Sequence, residues 1–349
     1  MATTAFTASA DGADPGVAVL EWARQLTGPA LRRWTELLPP AVAGWAGYHL
    51  GLQDETGRPP RGYRGKAVRP ALVLSCAEAA GGAARDAVRA AVTVELVHNF
   101  SLLHDDVIDQ DALRRHRPTV WKLFGVPAAI LTGDARLALA HRVLATAPGP
   151  RTADSIAMLG HAVEGLVEGE AMDVAFERRP EVTTAEYAAM ATAKTGALTG
   201  AACGLGALAG GADVERARFF TKFGRHLGLA FQIVDDLLGI IGDPGTTGKP
   251  VGGDLAARKK TYPVIAALAS DTEQGRTLAG MYASGAPLSD ADLRWAALLV
   301  TDAGGVRAAR SAVDQELEAA FAALAEADPA PEARRDLMAL ARVLTHRDD

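Results

Sequence analysis

The sequence predicts an all-α protein, and three observations carry that prediction. Apolar residues recur at helical spacing in long blocks, Phe, Trp and Tyr together make up only 5% of the chain, and clusters of proline and glycine fall between the blocks. Alanine, leucine, arginine and glutamate dominate and favour helix, the aromatic residues that suit strands are scarce, and no segment alternates strictly between apolar and polar. The blocks run in order. Val17 to Leu38 is closed by Pro39-Pro40; Pro70 to Ala80 and Ala84 to Asp109 follow the break at Pro59-Pro60; Ala128 to Ala145 ends before Pro148-Gly149-Pro150. Asp154 to Glu177, Thr184 to Ala209 and Asp213 to Ile241 come next, the last closed by Asp243-Pro244-Gly245. Further blocks follow Tyr262, three by this reading, which brings the total to about ten helices. No fixed-period repeat and no flexible linker interrupts them, so residues 17–349 read as one all-α domain behind a disordered lead-in over residues 1–16.

Composition narrows the function. With 349 residues, 49% of them apolar and 22% charged, the chain can bury a large core. Its net charge of −6 lacks the basic field that a nucleic-acid binder needs, so no nucleic-acid partner is expected. Cys76 and Cys203 lie in alanine-rich stretches without metal-ligand spacing and read as small buried hydrophobes in a reducing compartment. The N-terminus carries neither the basic head nor the apolar run of a signal peptide, and Gly196 to Gly211 is too short and glycine-rich for a membrane span, so a cytoplasmic location is expected.

Two acidic helices carry the chemistry. In the segment from His98 to Asp109, helical geometry puts His98, Ser101, Asp105 and Asp109 on one strip, with Asp105 one turn from Asp109. Carboxylates about 6 Å apart at an effective dielectric near 20 repel by roughly 3 kcal/mol, which a hard divalent cation would relieve. A solvated acidic face is the alternative for one such motif. A second pair, Asp235-Asp236, stands in an otherwise apolar helix among Ile233, Val234, Leu237 and Leu238, where buried acids need a partner or a metal. Acids of this kind suit Mg²⁺, which takes oxygen ligands, keeps several waters and bridges carboxylates to substrate phosphates. Basic residues stand where such a phosphate could be held: Arg114 and Arg115 after the first pair, Lys249 after the second, and Lys66 and Arg69 beside Gly65. No P-loop or GxGxxG is present.

In order along the chain, Gly65-Lys66 with Arg69-Pro70, His98 with Leu103-His104-Asp105-Asp106-Val107-Ile108-Asp109, Arg114-Arg115, Lys194-Thr195, Phe231-Gln232 with Asp235-Asp236, and Thr247-Gly248-Lys249 form one series. This series resembles the motifs of the trans-isoprenyl diphosphate synthases, the polyprenyl synthetase family. The resemblance covers about residue 60 to about residue 270, with weaker helical continuation beyond. It implies a helical bundle around a central substrate cavity, a homodimer, and chain elongation in which isopentenyl diphosphate condenses with an allylic diphosphate. By resemblance, the allylic diphosphate binds the acidic helices through three Mg²⁺ ions, with Asp105, Asp109 and Asp235 as metal ligands. Arg114, Lys194 and Lys249 would neutralise that diphosphate; Lys66, Arg69, His98 and Arg115 would grip isopentenyl diphosphate; Lys194, Thr195 and Gln232 would lie beside the allylic cation. A terpene cyclase on the same scaffold would not need the isopentenyl diphosphate set, and a non-catalytic partner subunit would be expected to lose acids of the first motif.

Two positions depart from the family pattern. Gly239 stands where an Asp is usual, and Glu170 where Gln is common. On the second helix Asp243 lies one turn beyond Gly239 on nearly the same line, either recovering part of the lost charge through a water or opening the turn at Pro244. Product length rests on family pattern as well. Small Ser101 and bulky Phe100 before the first acid pair resemble a producer of the twenty-carbon geranylgeranyl diphosphate, with farnesyl diphosphate second.

Overall fold

The computed structural model describes residues 14–58, 65–147, 149–242, 252–284 and 287–345. These residues form helices joined by short connections, with one two-residue β-hairpin. The helices sort into two compact units, each assembled from separate stretches of chain: the first from residues up to His161, Ala201–Thr221 and Leu324–Leu340, the second from Ala162–Gly200, Lys222–Ala323 and the stretch after Leu340.

In the first unit α1 (Pro15–Thr35) starts on Asp14, whose carboxylate accepts the Gly16 N–H at 2.7 Å and so caps donors that the first turn leaves open. A short helix, α2 (Pro40–His49), follows where the sequence reading placed only a break. Pro40 sits in its first turn, where a missing N–H costs nothing, and its run of alanine and glycine carries no apolar stripe to betray it. α3 (Val68–Ala79) is buried along almost its whole length, and α4 (Val88–Ile108), entered through a single 3₁₀ turn at Ala84–Ala87, packs along α6 (Val126–Ala145). Gly133 of α6 makes that approach possible, because any β-carbon there would run into the His104 ring of α4. Leu72, Leu74, Leu96, Leu103 and Val143 are fully enclosed, each contributing about 1.5–3 kcal/mol of burial. Cys76 and Cys203 are buried free thiols, and burial beside Cys203 raises the Cys76 pKa well above its ordinary value.

The hairpin pairs β1 (Leu113–Arg114) with β2 (Arg117–Pro118), Arg114 opposite Arg117, ahead of the short α5 (Val120–Phe124). Its strands are too short for any alternation to show. Both turn residues, Arg115 and His116, are in the left-handed region at φ 53° and 60°, a conformation that costs non-glycine residues on the order of 1–3 kcal/mol each. α2 holds the hairpin in place: Tyr48 Oη donates to the Pro118 carbonyl at 2.7 Å and Arg117 Nη1 donates to the Tyr48 carbonyl at 3.1 Å.

α7 (Thr152–Glu177) runs from the first unit into the second. In the second unit α8 (Thr184–Ala191) begins with a capping box of Thr183 and Glu186 and continues through one π turn, Thr192–Gly196, into α9 (Ala197–Ala209). The block Thr184 to Ala209 therefore holds together as expected, but with an extra residue in one turn. α10 (Val214–Ile241) carries the second acid pair. Beyond it lie α11 (Gly253–Ala256), α12 (Tyr262–Leu268), α13 (Glu273–Ala283), α14 (Asp290–Asp302), α15 (Gly305–Glu326) and α16 (Pro331–Thr345), so from Tyr262 on five helices replace the three read from sequence. Short lengths and proline or glycine starts hid the extra ones. Among the described residues no helix is long and apolar enough to cross a membrane.

Candidate active site

The first unit gathers cations beside the first acid pair. Asp105 is partly exposed and Asp109 exposed, whereas Asp106 turns inward and is only 1% exposed. Its Oδ1 accepts a hydrogen bond of 2.6 Å from Nε of Arg114 in β1. Burial raises the Asp106 pKa, and Arg114 opposes the rise. The second arginine of the pair lies against the loop before α3: a β-carbon on Gly65 would sit 3.6 Å from Arg115 Nη1, and Arg24 of α1 donates from Nε to the Gly65 carbonyl at 3.2 Å. His98 lies close enough to Arg69, Arg114 and Arg115 to sense all three. Burial first, then those charges and His49, hold its pKa well below the ordinary histidine value, so its imidazole is neutral at pH 7. Arg69, His98, Arg114 and Arg115 are thus brought together, with Lys66 exposed at the adjoining loop. His49, absent from the sequence reading, ends α2 in the same neighbourhood, its pKa also lowered by burial and by Arg136, Arg115 and Arg114. Only knowledge that α2 exists could have placed it there.

Phe100 lies one turn before His104 on α4, 7% exposed, its ring edge-on to the imidazole at 4.8 Å.

In the second unit the π turn displays Lys194 and Thr195. Gly169 of α7 lies so close that a β-carbon would strike the Lys194 backbone, which sets the lysine over the α7 face bearing Glu170 and Asp173. Lys194 Nζ is 2.6 Å from an oxygen of each. Burial works against its charge, but Asp173 and Glu170 outweigh burial and raise its pKa. The Glu170 departure thus meets a lysine, and Asp173 is a partner that the sequence reading passed over although it lies three residues along the same face.

The second acid pair divides like the first. Asp235 is exposed and Asp236 is 7% exposed. Asp236 Oδ2 accepts from Tyr187 Oη at 2.5 Å and from the Tyr262 N–H at 3.1 Å, and Oδ1 accepts from Gln232 Nε2 at 3.1 Å. Gln232 Oε1 in turn accepts from the Thr195 hydroxyl at 2.7 Å. Burial pushes the Asp236 pKa up to about 7 against the pull of these hydrogen bonds. Beside Gly239, Asp254 fills the space that a side chain would take: a β-carbon at 239 would sit 2.5 Å from its Oδ2. Lys249 and Asp243, both singled out in the sequence, lie outside the described residues, as does most of the lead-in.

No group of three or more His, Cys, Asp or Glu side chains forms a ready metal cage among the described residues. Mg²⁺ asks for less. It is held by one or two carboxylates together with water and substrate phosphate oxygens, and oxygen donors of that kind stand outward in each unit, Asp105 and Asp109 in the first and Asp235 in the second.

Comparison with known proteins bears on this arrangement. The family model described as polyprenyl synthetase matches residues 61–297. A geranylgeranyl diphosphate synthase of Mycobacterium tuberculosis is 47% identical over 337 residues, covering 96% of this chain and 95% of the relative. A (2E,6E)-farnesyl diphosphate synthase of the same organism is also 47% identical, over 292 residues that cover 83% of this chain and 81% of the relative. Among solved structures, a polyprenyl synthetase from Streptomyces coelicolor superposes with a TM-score of 0.90 at 42% identity, covering 94% of this chain and 98% of that one.

Proposed function

This chain belongs to the polyprenyl synthetase family, and we propose that it is a prenyltransferase that condenses isopentenyl diphosphate with an allylic diphosphate to make geranylgeranyl diphosphate. The observation that carries chain elongation is the gathering of Arg69, His98 and Arg115 in the first unit, in addition to Arg114. A cyclase, which handles one diphosphate, has no use for a second set of phosphate-binding cations.

The residues divide the work. Lys66, Arg69, His98 and Arg115 hold the isopentenyl diphosphate; the neutral His98 acts there as a hydrogen-bond partner. Arg114, steadied by Asp106, and Lys194, steadied by Asp173 and Glu170, meet the allylic diphosphate, and Lys249 joins them in this reading. Mg²⁺, held by Asp105, Asp109 and Asp235, would supply electrostatic stabilisation of the departing diphosphate. The allylic C–O bond breaks to leave a cation and diphosphate, the double bond of isopentenyl diphosphate attacks the cation, and loss of a proton to the released diphosphate restores the alkene. No protein nucleophile takes part. Groups that bind the developing charge better than the intact ester lower the barrier, and Thr195 and Gln232 face the cation with oxygen dipoles.

Product length is the finer part of the proposal. Relatives named for twenty-carbon and for fifteen-carbon products are both 47% identical to this chain, over 337 and 292 residues, and the twenty-carbon reading is supported by bulky, buried Phe100 beside small Ser101. The chain is proposed to act as a homodimer in the cytoplasm. Incubation with labelled isopentenyl diphosphate and each of the C5, C10 and C15 allylic diphosphates, followed by chromatography of the dephosphorylated products, tests both parts. C20 from every acceptor is the expected result; incorporation of no label would defeat elongation, and C15 as the end product would defeat the chain-length assignment.

A further inference from the structure

Beneath the reacting groups of the second unit runs a continuous hydrogen-bond chain whose direction is fixed at one end. Asp236 accepts from Tyr187 Oη, the Tyr262 N–H and Gln232 Nε2, at 2.5, 3.1 and 3.1 Å. All three neighbours of Asp236 donate to it, Gln232 through its NH₂, so the Gln232 Oε1 is turned outward. The outward Oε1 then takes the Thr195 hydroxyl proton at 2.7 Å. Tyr187 and Tyr262 also meet ring edge to ring face at 5.4 Å, which packs the Tyr187 ring whose hydroxyl donates to Asp236. The π turn shapes the other end, where the Thr195 carbonyl accepts from Thr199 Oγ1 at 2.8 Å.

We propose that Asp236 is a positioning residue that sets the polarity of this chain: through Gln232 it commits the Thr195 proton inward, leaving Thr195 Oγ1 only lone pairs to offer an electron-poor carbon. The inference rests on the reading above that Thr195 and Gln232 face the allylic cation. An O–H aimed at that carbon would repel the forming charge, and a lone pair attracts it. The second aspartate of the pair thus acts on the reaction without touching metal or substrate. Its neutral isostere would reverse the relay. The introduced amide would donate to Gln232 Oε1, Gln232 Nε2 would donate to Thr195 Oγ1, and the Thr195 proton would be left to swing toward the reacting carbon.

The test is a double-mutant cycle with Thr195→Val and Asp236→Asn, reading kcat and KM separately at saturating Mg²⁺ with isopentenyl and geranyl diphosphates. Asp236→Asn is expected to lower kcat by about 100-fold with KM changed less than about threefold, the loss seen when a preorganised dipole is removed. Thr195→Val should lower kcat about tenfold in the native background and cost nothing, or restore activity, in the Asp236→Asn background. The same loss in both backgrounds overturns the proposal. Full activity of Thr195→Val alone overturns the reading that Thr195 faces the cation, and the proposal with it. Should Asp236→Asn not fold, Tyr187→Phe removes one of the donors that hold the carboxylate and should lower kcat several-fold at unchanged KM; unchanged kcat in that variant overturns the proposal.

Discussion

The two acid pairs of this chain look alike in sequence, yet their inward members meet different partners. Asp106 and Asp236 are both almost wholly buried, while Asp105 and Asp235 stand farther out. Asp106 holds a cation, Arg114, through one oxygen, and its Oδ2 is buried with no hydrogen bond. Asp236 holds neutral donors through both oxygens. The first arrangement fixes the direction of a guanidinium. The second fixes the orientation of an amide and a hydroxyl. In each pair one acid stands outward and the other is a buried anchor, and the anchors differ in their partners, a guanidinium for Asp106 and neutral donors for Asp236.

The comparison breaks most visibly at the outward acids. Asp105→Asn and Asp235→Asn should each lower kcat by about 1,000-fold or more, because charge developing on the leaving group loses its metal-borne stabilisation. Near-normal turnover of either variant in a steady-state assay would remove that residue from the metal set. Next in size is Phe100→Ala on the first acidic helix. Loss of a buried aromatic side chain should cost about 3 kcal/mol in denaturant unfolding, and if Phe100 closes the chain-elongation pocket the products should lengthen beyond C20. Destabilisation with unchanged product length would make it core packing alone.

Asp106→Asn is smaller. It leaves Arg114 without its charged partner, and we expect a loss of about 1–2 kcal/mol in stability and a rise of about tenfold in KM for the allylic diphosphate, with kcat little changed. A fall in kcat alone would make Asp106 resemble Asp236 and dissolve the contrast. The smallest effect concerns the helix that presents Tyr187. Hydrogen bonds from Arg179, then from the Thr183 backbone and side chain, lower the Glu186 pKa to about 2 from its ordinary 4.5. Its contribution to stability is therefore complete above pH 4.5 and lost as pH falls from there toward 2. Glu186→Gln should lower the melting temperature slightly at pH 6 and not at all near pH 2; an equal shift at both would leave the charge without a role.

Sequence legibility follows the same division. Long helices with apolar stripes were readable, and so were the outward acids and arginines, because paired charges in apolar helices demand an explanation. α2 was not, since alanine and glycine give no stripe, nor was the hairpin, which is shorter than one period of alternation. Partners of the buried acids were hidden for another reason. Tyr187 and Tyr262 are ordinary core residues in their own helices, and only tertiary packing brings them to Asp236, 49 and 26 residues away along the chain. Asp254 shows this most plainly. The carboxylate that fills the space beside Gly239 comes from a different helix, while Asp243, one turn along the same helix in the sequence expectation, lies outside the described residues.

The measurement that bears most directly on the division between outward and inward acids is the Mg²⁺ concentration giving half-maximal rate in four variants: Asp105→Asn, Asp106→Asn, Asp235→Asn and Asp236→Asn. Loss of a metal-facing carboxylate should raise that concentration by about tenfold or more in the first and third, and the second and fourth should stay within about threefold of the native value whatever happens to their rates. An Asp236→Asn variant whose Mg²⁺ requirement rises as far as that of Asp235→Asn would contradict the account, because both acids would then serve the metal.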